Sequence, residues 1–406
     1  MFDVLIVGGG LVGSSLACAL QNHGLHVGLI EAKPWALNPQ ASLHYDDRVI
    51  ALAYSSRLIF QDLGLWTQIA PQATPIQRIH VSDRGHWGFT RLSAQDLRLE
   101  ALGYVIEAKV LGRLLQQHIN QAQQLQIFAP AHIKSVQLTD TQASVEIEQV
   151  GQQQLLHSRL LVVADGSASA VCQQLNLSIQ RHHYAQTAII ANLSPSVAHD
   201  NIAYERFTDT GPLALLPMRE QRCSLVWTVK PQQADGLQQL NPPDFLKALQ
   251  QRFGWRLGRF TQIGQRHAYP LSLISVKNPV QQRLVVIGNA AHSLHPVGGQ
   301  GFNLGLRDVS ALAHCLLHAQ QQRQDLGKHK VLTHYHRLRQ PDQTRTQRIT
   351  NTLVQLFSND IPSLTWLRNL GLLGLDQTSW LKQIFAQSLT GLSTPQAPKA
   401  HQTAEC

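Results

Sequence analysis

The chain opens on a short apolar run, FDVLIV (2–7), passes through GGGLVG, and continues as LVGSSLACALQNHG, whose small and apolar residues suit a helix lying close to a sheet. A second run, HVGLIEA (26–32), ends near the acidic Glu31. Strand, glycine turn, helix and strand make the βαβ pattern of a buried parallel sheet. Farther on, HVSDRGHWGFTRL (80–92) alternates and predicts strand–turn–strand. YVIEAKVLGRLLQQHI (104–119) leads into a helix with Val110, Leu111, Leu114, Leu115 and Ile119 on one stripe and Arg113 off it. LLVVADGSASAV (160–171) predicts a strand ending in Asp165-Gly166. Residues 186–229 hold TAIIANL, AYERFTDTGPLALLPM and CSLVWTV, widely spaced β-branched and aromatic runs that predict a separate antiparallel sheet. RLVVIGN (283–289) returns to the parallel pattern, and beyond about 310 the pattern is helical, with an amphipathic segment over 352–393.

The expected class is α/β: a Rossmann-like dinucleotide-binding domain interleaved with an antiparallel-sheet domain, plus C-terminal helices. The first is expected to be discontinuous, over 1–75, 100–178 and 276–350, and the second to cover 76–99 and 179–275. A C-terminal helical segment is expected over 351–393 and a disordered tail over 394–406.

Composition narrows the partners. With 43% hydrophobic residues in 406, a large core is available. Lys+Arg number 34 against 25 Asp+Glu, a formal charge of +9, which favours anionic partners such as a phosphorylated cofactor or an anionic membrane surface. The basic residues are scattered singly, without a zinc-finger or RNP-like signature, so nucleic acid is not expected. Cysteines at 18, 172, 223, 315 and 406 form no C-x-x-C; no metal site is expected, and a reducing cytoplasm fits. The first apolar run lacks a basic leader, opens with Asp3 and is broken by glycines, so it is not expected to be a targeting segment.

Gly8, Gly10 and Gly13 form G-x-G-x-x-G between strand and helix. The first glycine allows the tight turn, the second lets a pyrophosphate reach backbone N–H groups, and the third permits close helix–strand packing. Glu31 stands about 20 residues on, where an acid bonds a ribose 2′-hydroxyl and repels a 2′-phosphate. The motif alone also fits any glycine turn; its βαβ setting is what points to a dinucleotide. VVIGNAAHSLHPVGGQGFNLGLRD (285–308) has too much glycine for a core element and too much order for a linker, so something must approach its backbone closely. Arg48 reads as a surface ion pair or a cofactor contact, and His292 as a base or a structural hydrogen bond. His182-His183 reads as part of a polar loop.

GGGLVG with Glu31, ADG at 164–166, and GNAAHSLHPVGGQGFNLGLRD at 288–308 occur in an order that resembles the FAD-dependent aromatic-ring hydroxylases, the single-component flavoprotein monooxygenases. The resemblance covers residues 1 to about 350. HVSDRG (80–85), GPLALLPM (211–218), CSLVW (223–227) and FGWRLG (253–258) resemble the ubiquinone-biosynthesis branch, and within it the 2-polyprenyl-6-methoxyphenol 4-hydroxylases. The resemblance implies that Gly8, Gly10, Gly13 and Glu31 hold the ADP half of FAD. It places Arg48, Arg113, Asp165 and Gly166 near the pyrophosphate and ribityl chain, and Gly288, Asn289, Gly299, Gly301, Phe302 and Asn303 along the ribityl chain and flavin ring. Asn289 stands where the family usually has Asp, so a ribityl hydroxyl would meet an uncharged partner.

In this family NAD(P)H reduces FAD, O2 adds to give a flavin C4a-hydroperoxide, and its terminal oxygen passes to a phenol. No side-chain acid or base is assigned. Pro296, Gly298 and His292 are expected in the near-flavin pocket, and Leu215, Pro217 and Trp227 as apolar substrate walls. The resemblance also implies a hydrophobic polyprenyl-phenol substrate. A cytoplasmic location, peripheral to the inner face of the membrane, and assembly with pathway subunits or as a homo-oligomer are compatible with it. The alternatives are a sibling hydroxylase at another ring position or on a soluble aromatic, and a non-enzymatic FAD-binding subunit that organises a biosynthetic complex.

Overall fold

The computed structural model describes residues 1–35, 48–357, 371, 374 and 376–392. Along the chain come β1 (Phe2–Val7), α1 (Leu11–Leu20), β2 (Val27–Ile30) and β3 (Val49–Ala53). β4 (Arg78–Asp83), β5 (Phe89–Ser93), α2 (Ala108–Ile119) and β6 (Gln152–Val163) follow. Next are β7 (Ile179–Pro195), β8 (Ile202–Thr208), β9 (Gly211–Pro217), β10 (Cys223–Val229), α3 (Pro242–Phe253) and β11 (His267–Val276). β12 (Leu284–Val286), α4 (Gln300–Gln321), α5 (His329–Phe357) and α6 (Ser379–Thr390) come last.

The continuous apolar runs become the centre of an eight-stranded sheet. β1 pairs in parallel with β2 and β6, and β6 with β12. Both faces of β1 are covered, which is why its sequence does not alternate. Val4 and Ile6 pack with Leu16 and Leu20 of α1, Leu111 and Leu115 of α2, and Leu312 and Leu316 of α4. Leu5 and Val7 pack on the other side with Val145 and Ile147. Each such fully buried side chain contributes about 2 kcal/mol.

The second sheet has nine strands, including the series β11–β7–β10–β9–β8–β4–β5. Its pairs are antiparallel except β8 with β4, which run parallel (Ile202↔Arg78) because the chain leaves the sheet after β5 and returns much later. Phe245, Leu249 and Phe253 of α3 cover one face. A two-residue strand, His292–Ser293, pairs with β11 through Ile274↔Ser293 and Ser275↔His292. The third glycine-rich block is therefore fastened to the second sheet, although the pattern assigned it wholly to the first domain.

The fold is the expected one: a Rossmann-like domain interleaved with a sheet domain, with helices at the C-terminal end. The tail expected to be disordered over 394–406 lies outside the described residues. Among the described residues no helix is long and apolar enough to cross a membrane, and no cluster of His, Cys, Asp or Glu could hold a metal.

Candidate functional site

Residues from both sheets line a cavity of about 1020 Å³. Gly8, Gly10, Glu31, Arg48, Asp165 and Gly166 border it on the parallel-sheet side. The third block contributes Asn289, Pro296, Gly298, Gly299, Gly301, Phe302 and Asn303. Pieces of chain almost 300 residues apart thus share one wall.

Gly10 is the N-cap of α1, whose first turn carries no acidic residue. The first N–H groups of a helix have no partner within it and favour an anion. Glu31 reaches the same turn: its Oε2 accepts from Gly9 N–H at 2.7 Å and its Oε1 from Lys33 N–H at 2.9 Å. Asp165 Oδ2 accepts from Ala170 N–H at 3.1 Å, while Oδ1 is buried with no hydrogen-bond partner among the described residues. Burial raises the Asp165 carboxyl above its ordinary range. An orphaned buried acceptor beside a glycine cradle fits a polar, hydroxyl-bearing ligand.

Several expected residues stand elsewhere. Gly13 and Gly288 lie one layer behind the wall: a Cβ at Gly13 would fall 1.9 Å from Gly8 O, and one at Gly288 3.0 Å from Val12. On α2 the cavity is lined by Lys109, Gly112 and Gln116, one helical stripe, with Arg113 beside it rather than on it. Asn303 does line the cavity, but its amide is committed to the chain. Its Oδ1 accepts from Ala53 N–H (2.8 Å) and Ser56 Oγ (2.7 Å), and its Nδ2 donates to Ala51 O (2.8 Å) and Gly299 O (2.7 Å). It is a latch that holds the glycine turn against β3, so its side chain is not free for a ligand.

Of the two histidines of the third block, the one expected in the near-flavin pocket makes a structural hydrogen bond instead, and the other faces the cavity. His292 is buried away from the cavity, its Nε2 2.6 Å from Asp308 Oδ2. His295, not singled out beforehand, lines the cavity. Burial lowers its pKa from 6.5 to about 4, so the ring is neutral at pH 7. Nδ1 accepts from Val297 N–H at 3.2 Å, which leaves the proton on Nε2, 3.3 Å from Gln186 Oε1. Pro296 and the left-handed pair Gly298 (φ 66°) and Gly299 (φ 60°) then turn the chain into α4.

The expected substrate wall is on the wrong face. Leu215 and Trp227 are buried under α3 with Phe245, and Pro217 shares the parity of Leu215. The cavity is lined instead by Ala214, Leu216, Ser224 and Val226. Adjacent residues of a strand point to opposite faces, so a one-residue error moves the entire wall. Leu215→Ala is expected to cost about 2–5 kcal/mol, whereas Leu216→Ala enlarges the cavity at a smaller cost. Thermal melts of the two variants check the assignment, and equal losses would contradict it.

Comparison with known proteins bears on this arrangement. Residues 1–350 match the family model of an FAD binding domain. The ubiquinone hydroxylase UbiL of Rhodospirillum rubrum is 36% identical over 391 residues, covering 96% of this chain and 89% of that protein. The 3-demethoxyubiquinol 3-hydroxylase of Escherichia coli is 30% identical over 396 residues, covering 96% of this chain and 98% of that protein. Among solved structures, the p-nitrophenol 4-monooxygenase PnpA of Pseudomonas putida shares the fold with a TM-score of 0.80 at 15% identity, covering 98% of this chain and 99% of that one.

Proposed function

This chain belongs to the FAD-dependent aromatic-ring hydroxylases of the ubiquinone-biosynthesis hydroxylase family, and from that premise we propose that it hydroxylates 2-polyprenyl-6-methoxyphenol at ring position 4. The observation that carries the reading is a single cavity bounded by a dinucleotide cradle and by the apolar face of a sheet. A flavin and a hydrophobic phenol would share a volume poor in water, as oxygen transfer without loss of peroxide requires.

The residues present fit FAD. Gly8, Gly10 and the start of α1 would hold its pyrophosphate, Glu31 a ribose hydroxyl, and Arg48 with Asp165-Gly166 the adjoining groups. Asn289 would hydrogen-bond the ribityl chain, and the backbone of Gly298, Gly299 and Gly301 would lie along the ring, with the N-terminus of α4 directed at its negative edge. When bound, FAD supplies the activation of O2, with two electrons from NAD(P)H, and the transfer of one oxygen atom to the ring. His295, neutral and fixed in one tautomer, would present no charge to that surface.

A polyprenyl tail suits the remaining wall, which includes Ile79, Val81, Leu353, Phe385 and Leu389. α6 lines the cavity with Phe385 and Leu389 and exposes Trp380 and Ile384 away from that stripe, an apolar surface suited to collecting a lipid substrate. The position-3 activity in the name of the Escherichia coli relative favours a second reading, in which another ring position is attacked.

FAD-loaded protein, supplied with NADH or NADPH and a short-tailed 2-polyprenyl-6-methoxyphenol, is expected to yield the para-hydroquinone, identified by mass spectrometry and NMR. Hydroxylation elsewhere on the ring selects the second reading. Reductant consumption with peroxide as the sole product rejects both.

A further inference from the structure

Glu205 is the acid that neither the fold nor the cofactor cradle uses. On β8 it is in register with Val81 of β4 and Ala214 of β9; Ala214 is in register with Val226 of β10, and Val226 with Ile190 of β7. All five line the cavity. Cross-strand partners share a face of the sheet, so these five form one row, apolar except for the carboxyl beside Val81, beyond which the row continues to Thr90. Among the described residues that carboxyl has neither a hydrogen bond nor an ion pair. It is half-buried, and the surface it exposes borders the cavity. Burial alone raises its pKa from 4.5 to about 7.

The charged and titratable groups around it do not offset that burial. Tyr204 and Arg206 flank it on the opposite face, where Tyr204 packs on Phe253 and Arg206 has Asp83, Arg84 and Arg256 as charged neighbours. His80 is in register with Tyr204, Asp83 is in register with Phe207 farther along, and His295 across the cavity is uncharged at neutral pH. A carboxyl set among apolar neighbours and open to the cavity is placed to meet a polar group of a molecule bound there.

We propose that Glu205 is the proton acceptor for the phenol of the substrate, a role that rests on the hydroxylase reading above. As an oxygen atom adds para to the hydroxyl, a ring electron pair forms the new C–O bond. The phenol O–H bond breaks, its electron pair becomes the C=O of a dienone, and the proton passes to a Glu205 Oε. The proton on the attacked carbon then leaves to solvent, its C–H electron pair restoring the aromatic ring as a phenolate, and Glu205 returns its proton to that oxygen to give the hydroquinone. The oxygen atom derives from O2 reduced by two electrons from NAD(P)H through FAD, and the second oxygen leaves as water. A general base at this point is needed most when the ring is most electron-deficient.

The test compares FAD-loaded wild type, Glu205→Gln and Glu205→Asp with the substrate named above. Glu205→Gln is expected to keep its FAD and bind substrate with KM changed by no more than a few-fold, while kcat falls about 100-fold. In the wild type kcat/KM rises with pH through about 7, because the carboxylate is the active form. That limb is expected to vanish in Glu205→Gln and to return in part in Glu205→Asp. Without turnover, an infrared carbonyl band of the protonated carboxyl is expected to titrate near pH 7 in the wild type and to be absent from Glu205→Gln. Full turnover with an unchanged pH profile in Glu205→Gln overturns this role alone. A wild type that hydroxylates no phenol overturns the function reading, and this role with it.

Discussion

Gly10→Ala is expected to leave the fold standing and strip it of FAD, while Gly13→Ala loses both. A Cβ at Gly10 would meet no protein atom within 4 Å, and the residue's φ of −68° suits alanine. The loss of a glycine N-cap costs at most about 1 kcal/mol. The added methyl would project where the pyrophosphate of the proposed FAD must touch backbone, an overlap of about 1–3 kcal/mol, or a ten- to hundredfold loss of affinity. At Gly13 the new carbon would fall 1.9 Å from Gly8 O and 3.3 Å from Ile6, so α1 must lift from β1. That displacement is expected to cost about 3 kcal/mol or more. Flavin content per purified chain, measured beside the melting temperature, separates the two variants. Full flavin in Gly10→Ala would show that the cofactor does not lie against this turn.

Asp308→Asn is expected to have the largest effect on stability outside the cradle. Asp308 is fully buried; its Oδ1 accepts from Arg339 Nε at 2.8 Å and Gln343 Nε2 at 2.9 Å, and its Oδ2 lies 2.6 Å from His292 Nε2. Next to it, Asp342 receives Arg307 Nε at 2.8 Å and lies 2.8 Å from Arg339 Nη2. The cluster joins α4 to α5. Breaking one member of a buried ion network leaves the others desolvated without compensation, a loss of about 3–5 kcal/mol. For a chain of this size that corresponds to a melting temperature lower by roughly 5 °C.

Acid acts on the same cluster. Burial by itself would raise the Asp308 carboxyl, but His292 and Arg339 outweigh it and hold the group below its ordinary 3.8. For Asp342, burial is likewise outweighed by Arg307 and Arg339. A carboxyl whose folded pKa is depressed stabilises the fold fully above its unfolded pKa, and loses that contribution as pH falls toward the folded value. The gap in melting temperature between wild type and Asp308→Asn should therefore narrow as pH drops below about 4. Parallel curves down to pH 3 would contradict this account.

The βαβ unit was legible because β1 is apolar at nearly every position and is followed by glycines, small residues and an acid at meaningful spacing. β9 was legible as a strand but not as a face. In GPLALLP both sides are apolar, since α3 covers one and the cavity the other, so no alternation marks which side a ligand meets. Glu205 was hidden for the opposite reason. Between Tyr204 and Arg206 it reads as the polar side of a surface strand, and only the cross-strand register reveals that its neighbours are apolar. The choice between His292 and His295 depended on Asp308 and Arg339, which the chain supplies 16 and 47 residues after His292 and which no local pattern connects to it.

The short strand His292–Ser293 has a mechanical consequence. The chain from β12 to α4 begins in one sheet, is hydrogen-bonded to the other through β11, and ends in the helix that backs the first. Any hinge that opened the two sheets would have to unpick this stitch. The stitch thus ties the two sheets together beside the third block, and on the helical side Gln300 Nε2 donates to Leu389 O of α6 at 3.3 Å.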